Sequence, residues 1–274
     1  MYTGYKEIQL TDEELAEFYT DSSKFTEGLI ENQYYIIKDK NDVPIDTYIY
    51  QKGRLNPLKN IVISNQWDNK IKPRNVYQHL AMNLLKDEQS KVKLIRGVYG
   101  SGKDHLMLNQ ALEYIEKGKF QKIVFIRPNV TVAGVPEIGY LKGDLDNKLG
   151  WTLGPFYDKV GGEEGVQRLI DQGVLEMAPL LFLRGRSFEN SIVYVCEAQN
   201  TTTEVMKLIL SRAGEGTEIW INGDNHQTDS KIYDKDNGVR KLIDRLSGHR
   251  LFGYVYLPKT ERGEVSELAT LLDD

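Results

Sequence analysis

Hydrophobic and polar positions follow two different rhythms along the chain. Before residue 70, the aromatic and β-branched runs NQYYIIKD and DTYIYQKGRL flank the turn sequence KNDVP, a pattern that predicts a β-hairpin. In the preceding TDEELAEFY, Thr11 is an N-cap with Glu14 three residues later, a capping box that predicts a short helix. LKNIVISNQW follows as another strand-like run. We therefore predict a small, β-rich α+β subdomain over residues 1–70.

From residue 71 onward, strand-like runs alternate with helical patterns. Five short apolar runs, each bounded by glycine, proline or polar residues, predict strands: VKLIRG, KIVFIRP, SIVYVCEAQN, TEIWINGD and LFGYVYL. KDHLMLNQALEYIEKG and VMKLILSRAG have helical spacing, and each ends at a glycine. Strands that alternate with helices favour a mainly parallel sheet with helices on both faces. The prediction for residues 71–274 is therefore an α/β doubly wound core.

Composition and charge narrow the possible partners. A chain of 274 residues with 40% hydrophobic and 27% charged residues can bury an ordinary globular core. The net charge of −5 argues against a generally basic surface, so any nucleic-acid binding would need a local cluster of Arg and Lys. The four histidines have no metal-ligand spacing with Cys196, so we expect no zinc site.

The sequence also limits the possible cellular locations of the protein. No apolar run approaches the roughly 18 residues of a membrane span, and the polar N-terminus lacks a signal-peptide core. The single cysteine, Cys196, suits a reducing compartment. We expect a cytoplasmic protein without a membrane partner.

The segment GVYGSGKD has the G-x-x-x-x-G-K spacing of a phosphate-binding loop. Glycines allow its backbone N–H groups to surround phosphate oxygens, and the predicted helix that follows directs its positive end to the same place. The residues assigned to the phosphates are Gly97, Val98, Tyr99, Gly100, Ser101, Gly102 and Lys103. Lys103 would reach the β- and γ-phosphates. The alternative is a glycine-rich surface turn, which the flanking strand and helix disfavour.

Two positions depart from the usual metal-binding pattern of such loops. The loop ordinarily continues with a Ser or Thr that binds Mg²⁺, and a second strand ends in an Asp that holds the ion. Here Asp104 follows Lys103, and Cys196 ends the strand of SIVYV. A thiol is a soft ligand that suits Mg²⁺ poorly. The carboxylate is thus missing from one metal-facing position and present at the other.

We interpret these departures as compensating, with Asp104 supplying the charge that Cys196 lacks. Asp104 and Glu197 are then the candidate metal ligands, and Glu197 can also orient or deprotonate an attacking water. The alternative is a site that has lost hydrolysis or binds nucleotide poorly. An uncompensated Asp104 beside a triphosphate would repel it.

At these residues the chain resembles the PhoH family of ATPases, in particular the ATPase half of proteins in which that domain follows a PIN nuclease domain. The matching blocks span nearly the whole chain: KPRNVYQHLAMNLL, GVYGSGKD, KIVFIRPNV, EIGYLKGDLDNKLGWTLGPFYD, MAPLLFLRGRSF, VYVCEAQNTTTEVMKLILSRAGEGTEIWINGDNHQTD and LPKTERGEVSELATLL. No nuclease domain precedes these blocks, so we do not expect nuclease activity. The resemblance implies a RecA-like P-loop core that uses ATP and Mg²⁺, associates with RNA and forms homo-oligomeric rings such as a hexamer.

The resemblance also implies roles for single residues. Gln78 matches a helicase glutamine that reads adenine, although a polar residue opening a helix is an equal alternative. Gln199 is implied to contact the nucleotide. Asp224 and Gln227 match a motif that senses the γ-phosphate, with a simple turn after Gly223 as the weaker interpretation.

Arginines are the candidates for contacts beyond the nucleotide. Arg262 resembles an arginine that completes a neighbouring subunit's site, where a guanidinium would neutralise the transferring phosphoryl group; the alternative is a solvated arginine. The candidates for binding single-stranded RNA or for subunit contacts are Arg127, Arg184 and Arg186. For Arg184 and Arg186, an exposed hairpin with two buried phenylalanines is an equal alternative interpretation. Arg212 belongs to the same group, or it is a helix C-terminal charge.

Three functions remain possible from the sequence. The leading one is a Mg²⁺-dependent ATPase that acts on RNA or single-stranded nucleic acid, with Lys103, Glu197, Gln227 and Arg262 as catalytic residues. The second is a nucleotide-binding scaffold whose hydrolysis is weak or lost. The third, a small-molecule kinase, shares the loop but lacks an evident acceptor-binding domain.

Overall fold

The N-terminal part of the chain forms a small four-stranded sheet. In the computed structural model, which describes residues 2–128, 153–224 and 232–261, this part consists of β1 (Tyr5–Gln9), α1 (Asp12–Thr20), a 3₁₀ turn (Ser22–Phe25), β2 (Tyr34–Lys38), β3 (Pro44–Gln51) and β4 (Arg54–Pro57). The strand order is β1-β2-β3-β4, with β1 parallel to β2 and the other pairs antiparallel.

The local predictions for this region are confirmed with one exception. Thr11 Oγ1 accepts a hydrogen bond from Glu14 N at 3.2 Å, and Glu14 Oε2 accepts one from Thr11 N at 2.8 Å, so the capping box forms. The predicted hairpin is β2–β3. The prediction of a strand in LKNIVISNQW is wrong, because among the described residues that segment forms no more than an isolated bridge between Ile63 and Ile71. A run of apolar residues cannot become a strand without a neighbouring strand that supplies hydrogen bonds.

The larger sheet has six parallel strands: β5 (Val92–Gly97), β6 (Lys122–Ile126), β7 (Leu175–Met177), β8 (Ser191–Val195), β9 (Glu218–Asp224) and β10 (Phe252–Leu257). Their order is β10-β5-β9-β8-β6-β7. All five predicted core strands are confirmed. The sixth, β7, was not predicted, because three residues at a sheet edge are too short to show a hydrophobic period.

Helices cover both faces of this sheet. Their bounds are α2 (Val76–Lys86), α3 (Lys103–Glu116), α4 (Gly154–Val160), α5 (Gly162–Asp171), α6 (Thr203–Leu210), α7 (Ile232–Lys235) and α8 (Gly238–Leu246), with 3₁₀ turns at Leu180–Phe182 and Ala198–Asn200. Successive strand residues point to opposite faces. In β8, Tyr194 joins the apolar cluster of α2–α5, while Val193 and Val195 join that of α6 and α8. The predicted α/β, RecA-like arrangement is confirmed.

The small sheet contacts the core directly. The side-chain amide of Asn32 donates to the carbonyls of His249, Arg250 and Phe252 at 3.1, 2.8 and 3.1 Å. Tyr34 and Ile36 belong to the same apolar cluster as the helices over the main sheet. The division at residue 70 stays a prediction. Within the described ranges, no helix combines the length and apolar character that a membrane crossing requires.

Candidate nucleotide site

A glycine-rich loop connects the end of β5 to the start of α3. Gly100 and Gly102 have φ values of 71° and 86°, in the left-handed region that a side chain disfavours. Among the residues that the structure describes, no side chain caps the N-terminus of α3, which begins at Lys103. Its first N–H groups therefore remain available to an anion, and the helix dipole favours negative charge there. The local geometry is that of a phosphate-binding loop.

The loop forms one wall of a cavity of about 790 Å³. Gly154 and Lys159 of α4 lie on another side, and the segment from Asp68 to Arg74 on a third. Seven of the predicted site residues besides the loop glycines line this cavity: Gln78, Tyr99, Ser101, Lys103, Asp104, Glu197 and Asp224. The structure therefore brings the residues predicted for phosphate, metal and water together around one space.

Lys103 forms an ion pair with Asp224 in this cavity. Its Nζ lies 3.3 Å from Asp224 Oδ2 and 3.5 Å from the Gly97 carbonyl oxygen. The Lys103 and Asp224 side chains are only 12% and 7% exposed, so screening by water is limited. A phosphate oxygen would compete with Asp224 for the ammonium group. The pair thus links the loop to the end of β9.

The Asp104 side chain contacts residues near the C-terminal ends of β8 and β9. Its Oδ1 accepts hydrogen bonds from the Tyr194 hydroxyl at 2.8 Å and from the Asn222 side-chain amide. The carboxylate also lies close enough to Cys196 to influence that thiol. The two departures from the usual pattern therefore lie side by side, as the compensation hypothesis requires. Whether Asp104 holds a metal stays a prediction.

Cys196 is buried at the end of β8, with 1% of its surface exposed. Burial raises the pKa of the Cys196 thiol well above its ordinary value, and the carboxylates of Asp104 and Glu197 raise it further. The side chain is therefore a neutral thiol at neutral pH, which is a poor ligand for Mg²⁺.

We expect Cys196 in the native protein to resist iodoacetamide at mildly alkaline pH and to react readily once the chain is unfolded. The reason is that the thiolate, the reactive form, is both disfavoured and inaccessible. In the unfolded chain the thiol ionises near its ordinary pKa of about 8.5. Because the folded pKa is higher, this group also makes the free energy of unfolding fall as the pH rises above that value. Mass spectrometry of alkylated protein checks this, and rapid native labelling would contradict it.

Glu197 follows Cys196 in an uncommon backbone conformation. Its φ of 54° lies in the left-handed region. Its backbone N–H donates to Asn222 Oδ1 at 2.9 Å, and its Oε2 accepts a hydrogen bond from Gln199 Nε2 at 2.6 Å. Gln199 Oε1 in turn accepts from Asp224 N at 3.0 Å. Gln199 thus connects the carboxylate predicted to orient water with the residue predicted to sense phosphate.

Gln78 links α2 to the loop. Its side-chain amide donates to the Ser101 carbonyl at 3.0 Å and accepts from Arg74 N at 2.9 Å. Gln78 is also in the first turn of α2, whose N-cap is Asn75. Both polar ends of the amide are engaged by protein groups, while the residue still lines the cavity. Adenine recognition by Gln78 stays a prediction.

The candidate nucleic-acid arginines are not among the described residues that line the cavity, although Arg127 lies close enough to Cys196 to influence that thiol. Arg186 pairs with Glu176 of β7 and lies 4.7 Å from the Phe188 ring centre, and Arg212 donates to the Arg186 carbonyl at 3.3 Å. Arg184 is exposed, and Arg127, which follows β6, is partly buried. Of the two nearby phenylalanines, Phe182 is 58% exposed and Phe188 is buried. The hairpin with two buried phenylalanines is therefore not formed, whereas a nucleic-acid role for the arginines stays a prediction.

Gln227 and Arg262 lie outside the described residues. The neighbouring Glu261 is described, and its backbone N–H donates to the Gly100 carbonyl at 3.0 Å. Arg74 donates to the Glu261 carbonyl at 3.1 Å. The chain just before Arg262 is thus attached to the phosphate loop.

Among the residues of the site that sequence reasoning missed are the two that bind Asp104: Tyr194 and Asn222. Both lie inside runs that predict buried strands, where a tyrosine passes as an ordinary core residue. Asn222 offered a signal, since an amide inside the apolar run TEIWING needs hydrogen-bond partners when it is buried. Sequence spacing does not reveal which partners those are.

The donor set fits Mg²⁺. Asp104, Glu197 and Asp224 place hard oxygen donors around the cavity, and Mg²⁺ is usually held by one or two carboxylates together with substrate phosphates. Within the described ranges, no cluster of three or more His, Cys, Asp or Glu residues could hold a metal by itself. A nucleotide phosphate would have to complete the ligand set.

Comparison with known proteins places the chain in a family. The profile of the PhoH-like protein family matches residues 70–268. Protein PhoH2 of Thermobispora bispora is 31% identical over 98% of this chain and 62% of its own length, and Protein PhoH2 of Bacillus subtilis is 30% identical over 98% and 64%. The chain thus spans less than two thirds of the length of these relatives.

The similarity of the chain to solved structures is weaker than its similarity to these relatives. The crystal structure of Bacteroides sp Pif1 in complex with ADP-AlF4 is 18% identical, has a TM-score of 0.37 and covers 74% of this chain and 46% of that one. The Sulfolobus solfataricus SWI2/SNF2 ATPase core in complex with dsDNA has a TM-score of 0.41 at 12% identity, covering 76% and 48%. The family profile and the two PhoH2 relatives decide the assignment, and the chain belongs to the PhoH-like protein family.

Proposed function

We propose that this P-loop NTPase-type protein binds and hydrolyses ATP with Mg²⁺, and that hydrolysis is coupled to binding or remodelling of RNA or single-stranded nucleic acid. The observation that carries the proposal is the convergence of Lys103, Asp104 and Glu197 on the cavity beside the glycine loop. Phosphate binding, metal binding and water activation need these three kinds of group within one small space.

In this proposal, each group has a separate task. The N–H groups of the loop and Lys103 hold the triphosphate, with Lys103 exchanging Asp224 for a phosphate oxygen. Glu197, held by Gln199, orients the attacking water. When bound, Mg²⁺ would neutralise charge on the phosphates, and Asp104 and Glu197 are the residues that would hold it. Gln227 and Arg262 are proposed to sense the γ-phosphate and to complete a neighbouring site.

Coupling to nucleic acid rests on the surface near β7. There, exposed Arg184 and the exposed ring of Phe182 lie close together in sequence. Arginines neutralise phosphates, and aromatic rings stack on unpaired bases. A homo-oligomeric ring is part of the same proposal, because Arg262 would act across a subunit interface.

A second candidate function is a nucleotide-binding scaffold with little hydrolysis. It is favoured by the hydrogen bonds and ion pairs already made by the reactive groups. Lys103 is paired with Asp224, and Asp104 is bonded to Tyr194 and Asn222. Such partners compete with substrate, so turnover could be slow while binding persists.

The test is ATP binding and hydrolysis by wild type and Lys103→Ala, with Mg²⁺ or EDTA and with or without single-stranded RNA. We expect hydrolysis only with Mg²⁺, stimulation by RNA, and a loss of about a hundredfold or more in Lys103→Ala, because a charge-stabilising donor is removed. Lys119→Ala, which alters a lysine remote from the cavity, is the matched control. Tight binding without turnover supports the scaffold function, and absence of binding contradicts both functions.

A further inference from the structure

Asn222 is a polar residue inside a fully buried strand of the sheet. All seven residues of β9 are buried, and Asn222 is 1% exposed. An amide in this position is costly unless its polar atoms find partners. Asn222 Nδ2 donates to Asp104 Oδ1 and to the Tyr194 hydroxyl at 2.9 Å, and its Oδ1 accepts from Glu197 N at 2.9 Å. The side chain therefore connects the candidate metal ligand with the backbone of the candidate water-orienting residue.

Tyr194 completes the arrangement from the neighbouring strand. Its ring is fully buried and stacks on Phe125 at 5.6 Å between ring centres, with an interplanar angle of 17°. A tyrosine hydroxyl keeps its proton at neutral pH, because its ordinary pKa is about 10. The Tyr194 hydroxyl donates that proton to Asp104 Oδ1 at 2.8 Å. Packing against Phe125 fixes the Tyr194 ring, and the ring in turn fixes the position of the hydroxyl that donates to Asp104.

Both donors bind the same oxygen of Asp104. Within the described residues, Oδ2 of that carboxylate has no hydrogen bond, and Asp104 lines the cavity. One oxygen is thus tied to the strands while the other stays available to a ligand. Hydrogen bonds of this kind orient metal-binding carboxylates and are themselves functionally important.

We propose that Tyr194 and Asn222 are positioning residues that orient Asp104 toward the divalent cation bound with ATP, and that Asn222 also sets the place of Glu197 relative to Asp104. This inference rests on the proposed ATP and Mg²⁺ binding. It explains why a carboxylate on the loop can replace one on the strand: two buried donors, from β8 and β9, hold the carboxylate beside the position that Cys196 leaves without charge.

The test measures the affinity for the β,γ-imido analogue of ATP by calorimetry, once with Mn²⁺ and once with EDTA. Tyr194→Phe removes one hydroxyl and keeps the stacked ring. We expect it to weaken binding with Mn²⁺ about tenfold and to leave binding in EDTA unchanged. Asn222→Ala should weaken binding with Mn²⁺ further, by about a hundredfold. Tyr114→Phe is the matched control, since it removes a buried hydroxyl that donates to the Leu85 carbonyl, away from the cavity.

The two conditions separate positioning from general damage. Equal weakening with Mn²⁺ and with EDTA would show a merely structural role and overturn the inference. Wild-type affinity with Mn²⁺ in Tyr194→Phe would overturn it as well, and this conservative variant decides the matter even if Asn222→Ala fails to fold. If wild type binds the nucleotide under neither condition, the proposed function and this inference fail together. If wild type binds and the variants match it, the inference alone fails.

Discussion

Asp104→Ser is expected to lower Mg²⁺-dependent ATP hydrolysis by about a hundredfold or more, and adding Cys196→Asp is expected to restore most of it. The single change removes the carboxylate from the loop and leaves a neutral, buried thiol on the strand. Neither a serine hydroxyl nor that thiol supplies the missing negative charge. The double change returns the hydroxyl to the loop and the carboxylate to the strand, which is the usual arrangement.

Cys196→Asp alone should also be impaired. It would place a second carboxylate beside Asp104, and two like charges at 4 Å repel by about 4 kcal/mol at an effective dielectric constant of 20. Steady-state hydrolysis of the three variants checks the set. Asp104→Ser combined with Cys196→Ser is the matched control, because it changes both positions without restoring charge and should stay inactive. Undiminished hydrolysis by Asp104→Ser would show that Asp104 is not needed for metal binding.

Glu218→Ala is expected to lower the free energy of unfolding by about 3–5 kcal/mol. Glu218 is 2% exposed and lies 2.8 Å from the fully buried Lys93 ammonium, while its Oε2 also accepts from Trp220 Nε1 at 3.0 Å. Burial lowers the pKa of Lys93, and Glu218 opposes this effect. Among the described residues, removing the carboxylate leaves the buried Lys93 ammonium with the Leu85 carbonyl as its one hydrogen-bond partner.

Urea unfolding of wild type and Glu218→Ala measures this effect. Glu17→Ala is the control, since it breaks an ion pair with Lys24 in which both side chains are at least half exposed. Exposed pairs contribute little, so this variant should unfold as wild type does. A loss in Glu218→Ala no larger than in the control would mean that water or a neighbouring group compensates the Lys93 charge. Because the pair lies at the start of β5 and β9, it fixes one strand that leads into the phosphate loop and another that ends at Asp224.

The fold was largely predictable because the core strands are both apolar and long enough to show their pattern. VKLIRG, KIVFIRP, SIVYV, TEIWINGD and LFGYVYL each contain a described strand. The two errors in the predicted strands are local and share one cause. β7 is only three residues long, and the apolar run around Ile63 has no neighbouring strand in the described part of the chain with which to form a ladder. Strand formation there depends on partners distant in sequence.

The candidate site, like the fold, was predictable from the sequence only in part. By itself, the sequence determined the phosphate loop, its lysine, the displaced carboxylate of Asp104 and the thiol of Cys196, because these depend on residue type at fixed spacing. Only the tertiary structure decided that Asp104 lies beside Cys196, that Tyr194 and Asn222 hold it, and that Lys103 pairs with Asp224. The parallel register of β5, β9 and β8 is the reason, since it brings side chains from residues 97–104, 194–199 and 222–224 to one edge of the sheet. Contacts between residues so far apart in the chain leave no periodic signal in it.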